Sequence, residues 1–182
     1  MRRFVPCALV VLLACNVGPH GFTPLIDAAR TGDAASVRYL IAQGADPNEA
    51  AGQNNWTPLL HAIHTHATGS VAALIDGGAD INRLAGDGIT PLMMASGYGY
   101  TDIVELLLRR GANPRIADPH GATALDLAMT GVPDIDRFTL FDCQNDTVTA
   151  LLRADPTLRN RAGVPTPAAR TWARLKGCGA SS

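Results

Sequence analysis

Thr-Pro-Leu occurs at Thr23-Pro24-Leu25, again at Thr57-Pro58-Leu59 and at Thr90-Pro91-Leu92, and a variant follows at Thr123-Ala124-Leu125. The steps between them are 34, 33 and 33 residues. A second mark keeps the same step: Gly44-Ala45-Asp46, Gly78-Ala79-Asp80 and Gly111-Ala112-Asn113 lie 34 and 33 apart. Two independent marks in phase restrict the chain to stacked copies of one small unit. Such a unit buries its apolar face only against a neighbouring copy.

The chemistry within one copy reads as two helices and a loop. Thr caps a helix, Pro takes the first helical position, where its missing N–H costs nothing, and Leu opens the apolar stripe. Five residues after each Thr comes Ala28, Ala62, Ala95 or Ala128, small enough to let neighbouring helices approach. A Gly-containing turn (Thr31-Gly32-Asp33; Gly97-Tyr98-Gly99) leads to a second stripe: Val37, Leu40 and Ile41; Val71, Leu74 and Ile75; Val104, Leu107 and Leu108. Gly44, Gly78 and Gly111 are expected to end these helices in the left-handed conformation. The segments that follow, with turn signals such as Gly86-Asp87-Gly88, predict projecting hairpin-like loops.

These marks resemble the ankyrin-repeat family, with its period of about 33 and its T-P-L-H-x-A signature. The resemblance implies an all-α solenoid of stacked helix-turn-helix units with projecting hairpin loops. Residues 22–177 form the repeat domain, with repeats at about 22–55, 56–88, 89–121 and 122–156. In the fourth repeat the second stripe (Val148, Leu151, Leu152) arrives 11 residues late, which implies an insertion at about 132–145. Arg153-Ala154-Asp155-Pro156 mimics the Gly-Ala-Asp mark, and Thr166-Pro167-Ala168 opens a capping half-repeat at 157–177, with Arg170, Arg174 and Lys176 to meet water. Residues 178–182 are a tail.

The N-terminus reads as an address. Arg2 and Arg3 precede an apolar run from Phe4 to Ala14, a signal peptide over residues 1–14 that is too short to anchor as a membrane helix. Leu12-Leu13-Ala14-Cys15 resembles a bacterial lipobox, which would make Cys15 a lipidated mature terminus. The other reading is an ordinary cleavage after Ala14, and residues 15–21 are then a short linker. Both readings export the protein to the periplasm or cell envelope. Of the four cysteines, Cys143 and Cys178 are left as a pair in an oxidising compartment. A bridge between them would span 35 residues and contribute about 3–4 kcal/mol in the chain-entropy model; the alternative is two unreactive thiols.

Composition narrows the function. With 15 basic and 16 acidic residues, and no basic run in the body of the chain, a nucleic-acid surface is not expected. The chain is 47% hydrophobic but only 5% aromatic, because 29 residues are Ala and 20 are Leu, as closely packed thin helices require. No nucleophile elbow, phosphate loop or paired-carboxylate motif is present, so neither catalysis nor a cofactor is expected. Asp27 and Asp126 are read as solvated or hydrogen-bonding residues. His61, His64 and His66 crowd the first helix of the second repeat, and His61 with His64 could share a metal. They lack a Cys or carboxylate at ligand spacing, so surface and turn histidines, at most one of them buried at a usually apolar position, are the plainer account, and no metal site is assigned.

The resemblance implies partner binding by the loop tips and by the concave face that the first helices form. Carried onto this chain, those positions are Arg30 and Thr31; Asn54, Trp56, His64 and Thr65; Asp87, Ile89 and Tyr98; and His120 and Thr130. Trp56 and Tyr98 are the expected anchors, because interface hot spots favour such residues; the other reading of each is local packing of a loop or turn. Two departures stand out. Ile26, Leu60, Met93 and Asp126 replace the signature His, so its hydrogen bond is expected to be missing. Asn55 stands where a Gly is usual in the first loop. The expected function is a monomeric, non-catalytic scaffold in the envelope that binds an unidentified protein and meets the membrane only through a lipid on Cys15. The alternatives are a protective inhibitor that neutralises a toxin or guards an envelope enzyme, and a metal or small-ligand binder using the histidines.

Overall fold

The computed structural model describes residues 21–52, 54–130 and 145–158. Eight helices are formed there: α1 (Pro24–Thr31), α2 (Ala34–Ala42), α3 (Pro58–His64), α4 (Thr68–Asp76), α5 (Pro91–Tyr98), α6 (Thr101–Arg109), α7 (Ala124–Thr130) and α8 (Asn145–Ala154). Odd-numbered helices pack on one another in one row, α1 on α3, α3 on α5 and α5 on α7, and even-numbered helices form a second row behind them. The core lies between the rows. Leu25, Leu59, Leu92 and Leu125 are buried in the first row and Val37, Val71, Val104 and Leu151 in the second, one from each repeat.

Local chemistry fixes the helix ends. The side chains of Thr23, Thr57 and Thr90 accept hydrogen bonds from the backbone N–H groups of Ile26, Leu60 and Met93. The fourth repeat corrects one expectation. Asp126 is buried, and its Oδ2 accepts from both the Thr123 N–H and the Thr123 hydroxyl at 2.8 Å, so the carboxylate makes a cap bond in the place of the signature His. At Met93 the sulfur plays a weaker version of this part, 3.5 Å from the Thr90 nitrogen.

The second helices of the first three repeats end as the glycines predict. Gly44, Gly78 and Gly111 have φ of 94°, 92° and 89°, and the following N–H groups of Ala45, Ala79 and Ala112 reach back to Leu40, Leu74 and Leu107. First helices end the same way at Gly32 and Gly99, whereas α3 places His66 in that conformation with φ 58°. Asn55 adopts φ 52°, so it serves the loop as a Gly would, since Asn tolerates this region better than most residues. Isolated bridges Ala51–Trp56 and Ala117–Thr123 close two of the hairpin loops, and no longer strand occurs among the described residues.

A side-chain ladder stitches successive repeats. Asn48 Oδ1 accepts from the Asp80 N–H at 2.7 Å, and Asn82 Oδ1 accepts from the Asn113 N–H at 2.8 Å. In the next register stands Arg115, which pairs instead with Asp155. Asp155 accepts from the Thr157 N–H as Asp46 and Asp80 accept from Asn48 and Asn82, so the mimicry of the earlier turns is real. One stripe assignment needs correction: Leu152 is 37% exposed, and Leu151 and Ala150 carry the buried face of α8. The signal at 1–14, Cys15, most of the insertion, Cys143, the capping half-repeat beyond residue 158 and Cys178 lie outside the described residues.

Gly88 has φ 81°, and a Cβ built on it would lie 2.5 Å from Pro119 Cδ in the next loop. Gly88→Ala should therefore lower stability by about 1–2 kcal/mol, the usual cost of a left-handed L-residue, with the clash adding to it. A urea midpoint unchanged from the parent would contradict the close loop-on-loop approach.

Candidate functional site

The first-helix side of repeats one to three carries a continuous run of rings. Phe22 meets His61 edge-on at 5.1 Å, and Trp56 meets His61 at 5.5 Å and His64 at 5.3 Å. His64 Nδ1 lies 3.0 Å from the Tyr98 hydroxyl, Tyr98 packs on Tyr100 at 5.3 Å, and His66 stacks on Tyr100 at 3.9 Å with the rings 2° from parallel. Of the five Phe, Trp and Tyr residues among those described, all but Tyr39 are thus gathered in one place. Edge-to-face and offset ring pairs each contribute roughly 0.5–1.5 kcal/mol beyond area burial, so the run also ties the repeats together.

The polar atoms at its edges are held. Trp56 Nε1–H donates to Asp87 Oδ2 at 2.9 Å, joining the loop of repeat one to that of repeat two, and Asp87 Oδ1 accepts from the Ile89 N–H. Arg30 lies over the Phe22 ring at 4.6 Å. Asp102 accepts from Thr68 and bonds His66 Nε2 at 3.0 Å; partial burial raises its pKa, but these hydrogen bonds outweigh that and hold it below the usual carboxylate value.

Beside the rings lies a cavity of about 810 Å³, lined by Gly21, Phe22, Arg30, Ala51, Gly52, Asn54, Trp56, His61 and His64. Four of the eleven expected binding positions, Arg30, Asn54, Trp56 and His64, meet there. Asp87 is one step removed, through its bond to Trp56. Ile89 is half-buried and packs against the core, and His120 is exposed at a separate loop, its N–H bound to Asp118. Thr31 and Thr65 turn their hydroxyls to the carbonyls of their own helices. Tyr98 requires a correction: it is only 7% exposed, because His64 and Tyr100 cover its ring, so it is a strut of the site and not a presented anchor.

Sequence reasoning missed Phe22 and undervalued His61. Phe22 precedes Thr23 as Trp56 precedes Thr57, so projecting Trp56 back by one period would have found it. His61 is 7% exposed, and its Nε2 has no hydrogen-bond partner among the described residues. The three histidines diverge: His64 goes to Tyr98, His66 to Asp102, and His61 lies under the rings. Among the described residues no group of three or more His, Cys, Asp or Glu side chains is placed to hold a metal.

Burial lowers the His61 pKa from 6.5 to about 4, against the opposing pull of the Ala51 carbonyl. The folded pKa lies below the unfolded one, so the unfolded chain takes up the proton first as pH falls. The stability tied to this group is intact above pH 6.5 and is lost progressively between pH 6.5 and 4. Between pH 7.5 and 4.5 the parent should lose about 2–3 kcal/mol more than His61→Gln in urea unfolding. Equal losses in the two proteins would show that His61 is not held neutral.

The sequence comparisons agree with this architecture. A family profile described as "Ankyrin repeats (3 copies)" matches residues 5–85, beginning inside the segment read as an export signal. A second, "Ankyrin repeats (many copies)", matches residues 74–128. No curated protein matches the chain significantly. Ankyrin repeats are generally protein–protein interaction modules and typically non-catalytic. The two profiles together cover residues 5–128, the capped helix pairs and loops recur in that register, and the chain belongs to the ankyrin-repeat family.

Proposed function

We propose that this protein is an exported scaffold that holds a partner protein in the bacterial cell envelope, on the concave face built by its first helices and loops, without catalysis. The observation that carries the reading is the cavity between the first two repeats. Arg30, Asn54, Trp56 and His64, chosen for binding from their register alone, converge on it although 34 residues separate the first from the last. The rings beside it are cross-braced by Asp87 and Tyr98, and such pre-ordering reduces the conformational entropy lost on binding. Export rests on Arg2, Arg3 and the apolar run to Ala14, and membrane attachment on Cys15.

A photo-crosslinking amino acid at Asn54, compared with one at Tyr39 on the outer helix α2, separates the faces. Both positions are exposed, Tyr39 to 65%. The expected result in intact cells is a discrete adduct from position 54 and none from position 39; the reverse pattern would overturn the concave-face reading. Mass spectrometry of the mature protein should find a lipid mass that Cys15→Ser abolishes. A mature chain with an unmodified Cys15 would make it a soluble exported protein.

A further inference from the structure

The cavity has a chemistry of its own. Its described lining includes one permanent cation, Arg30, and no carboxylate. Phe22 and Trp56 supply apolar faces, and Asn54 supplies an amide. His61 is more than nine-tenths buried at its edge, with Nε2 lacking a hydrogen-bond partner among the described residues. A buried polar nitrogen left without a partner is costly unless a ligand supplies one. A carboxylate satisfies both features at once, as counter-ion to Arg30 and as acceptor for a proton carried by His61.

We propose that the cavity seats an acidic peptide segment of the partner, with a Glu or Asp carboxylate received between Arg30 and His61 and an adjacent apolar side chain laid against Phe22 and Trp56. This inference rests on the concave-face reading and adds the chemistry of what is bound. The charged or titratable groups around His61 are Arg30 and His64, which disfavour its protonation, and Asp27, which favours it. The arriving carboxylate adds to the side of Asp27. Binding therefore takes up a proton, and affinity rises as the solution is acidified through the range in which the free protein keeps His61 neutral.

The test uses the exported full chain and the capped peptide acetyl-Gly-Phe-Glu-Gly-amide, with its Gln counterpart as control, followed by NMR of the Trp56 indole N–H and the His61 ring. If the bound carboxylate restores the ordinary histidine pKa of about 6.5, the Glu peptide binds about tenfold tighter at pH 5.5 than at pH 7.5. The Gln peptide binds several-fold more weakly at pH 5.5 and without that pH dependence. His61→Gln should remove the pH dependence, and Arg30→Gln, at an exposed position, should weaken binding at both pH values while leaving the helical circular dichroism unchanged. Equal binding of the Glu and Gln peptides, no shift of either resonance with either peptide, or a pH dependence unaltered by His61→Gln overturns the proposal. A crosslink from position 54 to a partner whose capture Arg30→Gln leaves unchanged would overturn this inference alone and leave the concave-face reading standing.

Discussion

None of these helices can hide its apolar stripe within its own repeat. The helices are seven to ten residues long, too short to be stable alone in water, and each presents its leucines and valines to the repeat before or after it. The contact between successive repeats is therefore the interaction on which everything else depends. Ala28, Ala62, Ala95 and Ala128 set how closely first helices approach, and Asn48 and Asn82 fix the register of one loop against the next. A stack made in this way is rigid along its length because every layer is specified by its neighbour.

The same contact makes a site out of residues far apart in sequence. Trp56 is fixed by Asp87 of the following loop, His64 by Tyr98 of the following helix, and His66 by Asp102. In each pair the second residue lies 31 to 36 places later, about one period. Ring packing and charge here serve cohesion, and in the proposed reading the same side chains also meet the partner. His61 shows the tension most plainly, since a buried imidazole whose Nε2 finds no hydrogen-bond partner among the described residues contributes less to stability than an apolar side chain of similar size would.

Much of this was legible in the sequence because it answers local demands. A capping Thr, a Pro at the first helical position, an Ala at the close approach and a Gly in left-handed conformation each act within a few residues of themselves. What could not be read from local pattern depends on the neighbouring repeat. Tyr98 sits where the family presents side chains, yet His64, 34 residues earlier, draws it inward. Asp126 looked like the loss of a bond and makes it by another route, and Arg115 breaks the Asn register but reaches Asp155 instead. Phe22 was within reach, since its phase matches that of Trp56.

The central claim is that the face formed by α1, α3, α5 and their loops is the working surface. Hydrogen–deuterium exchange on the protein, with and without its crosslink-identified partner, measures this directly. The account predicts added protection in residues 21–31, 51–64 and 85–98, with α2, α4 and α6 unchanged. Protection confined to the outer helices α2, α4 and α6 would contradict it.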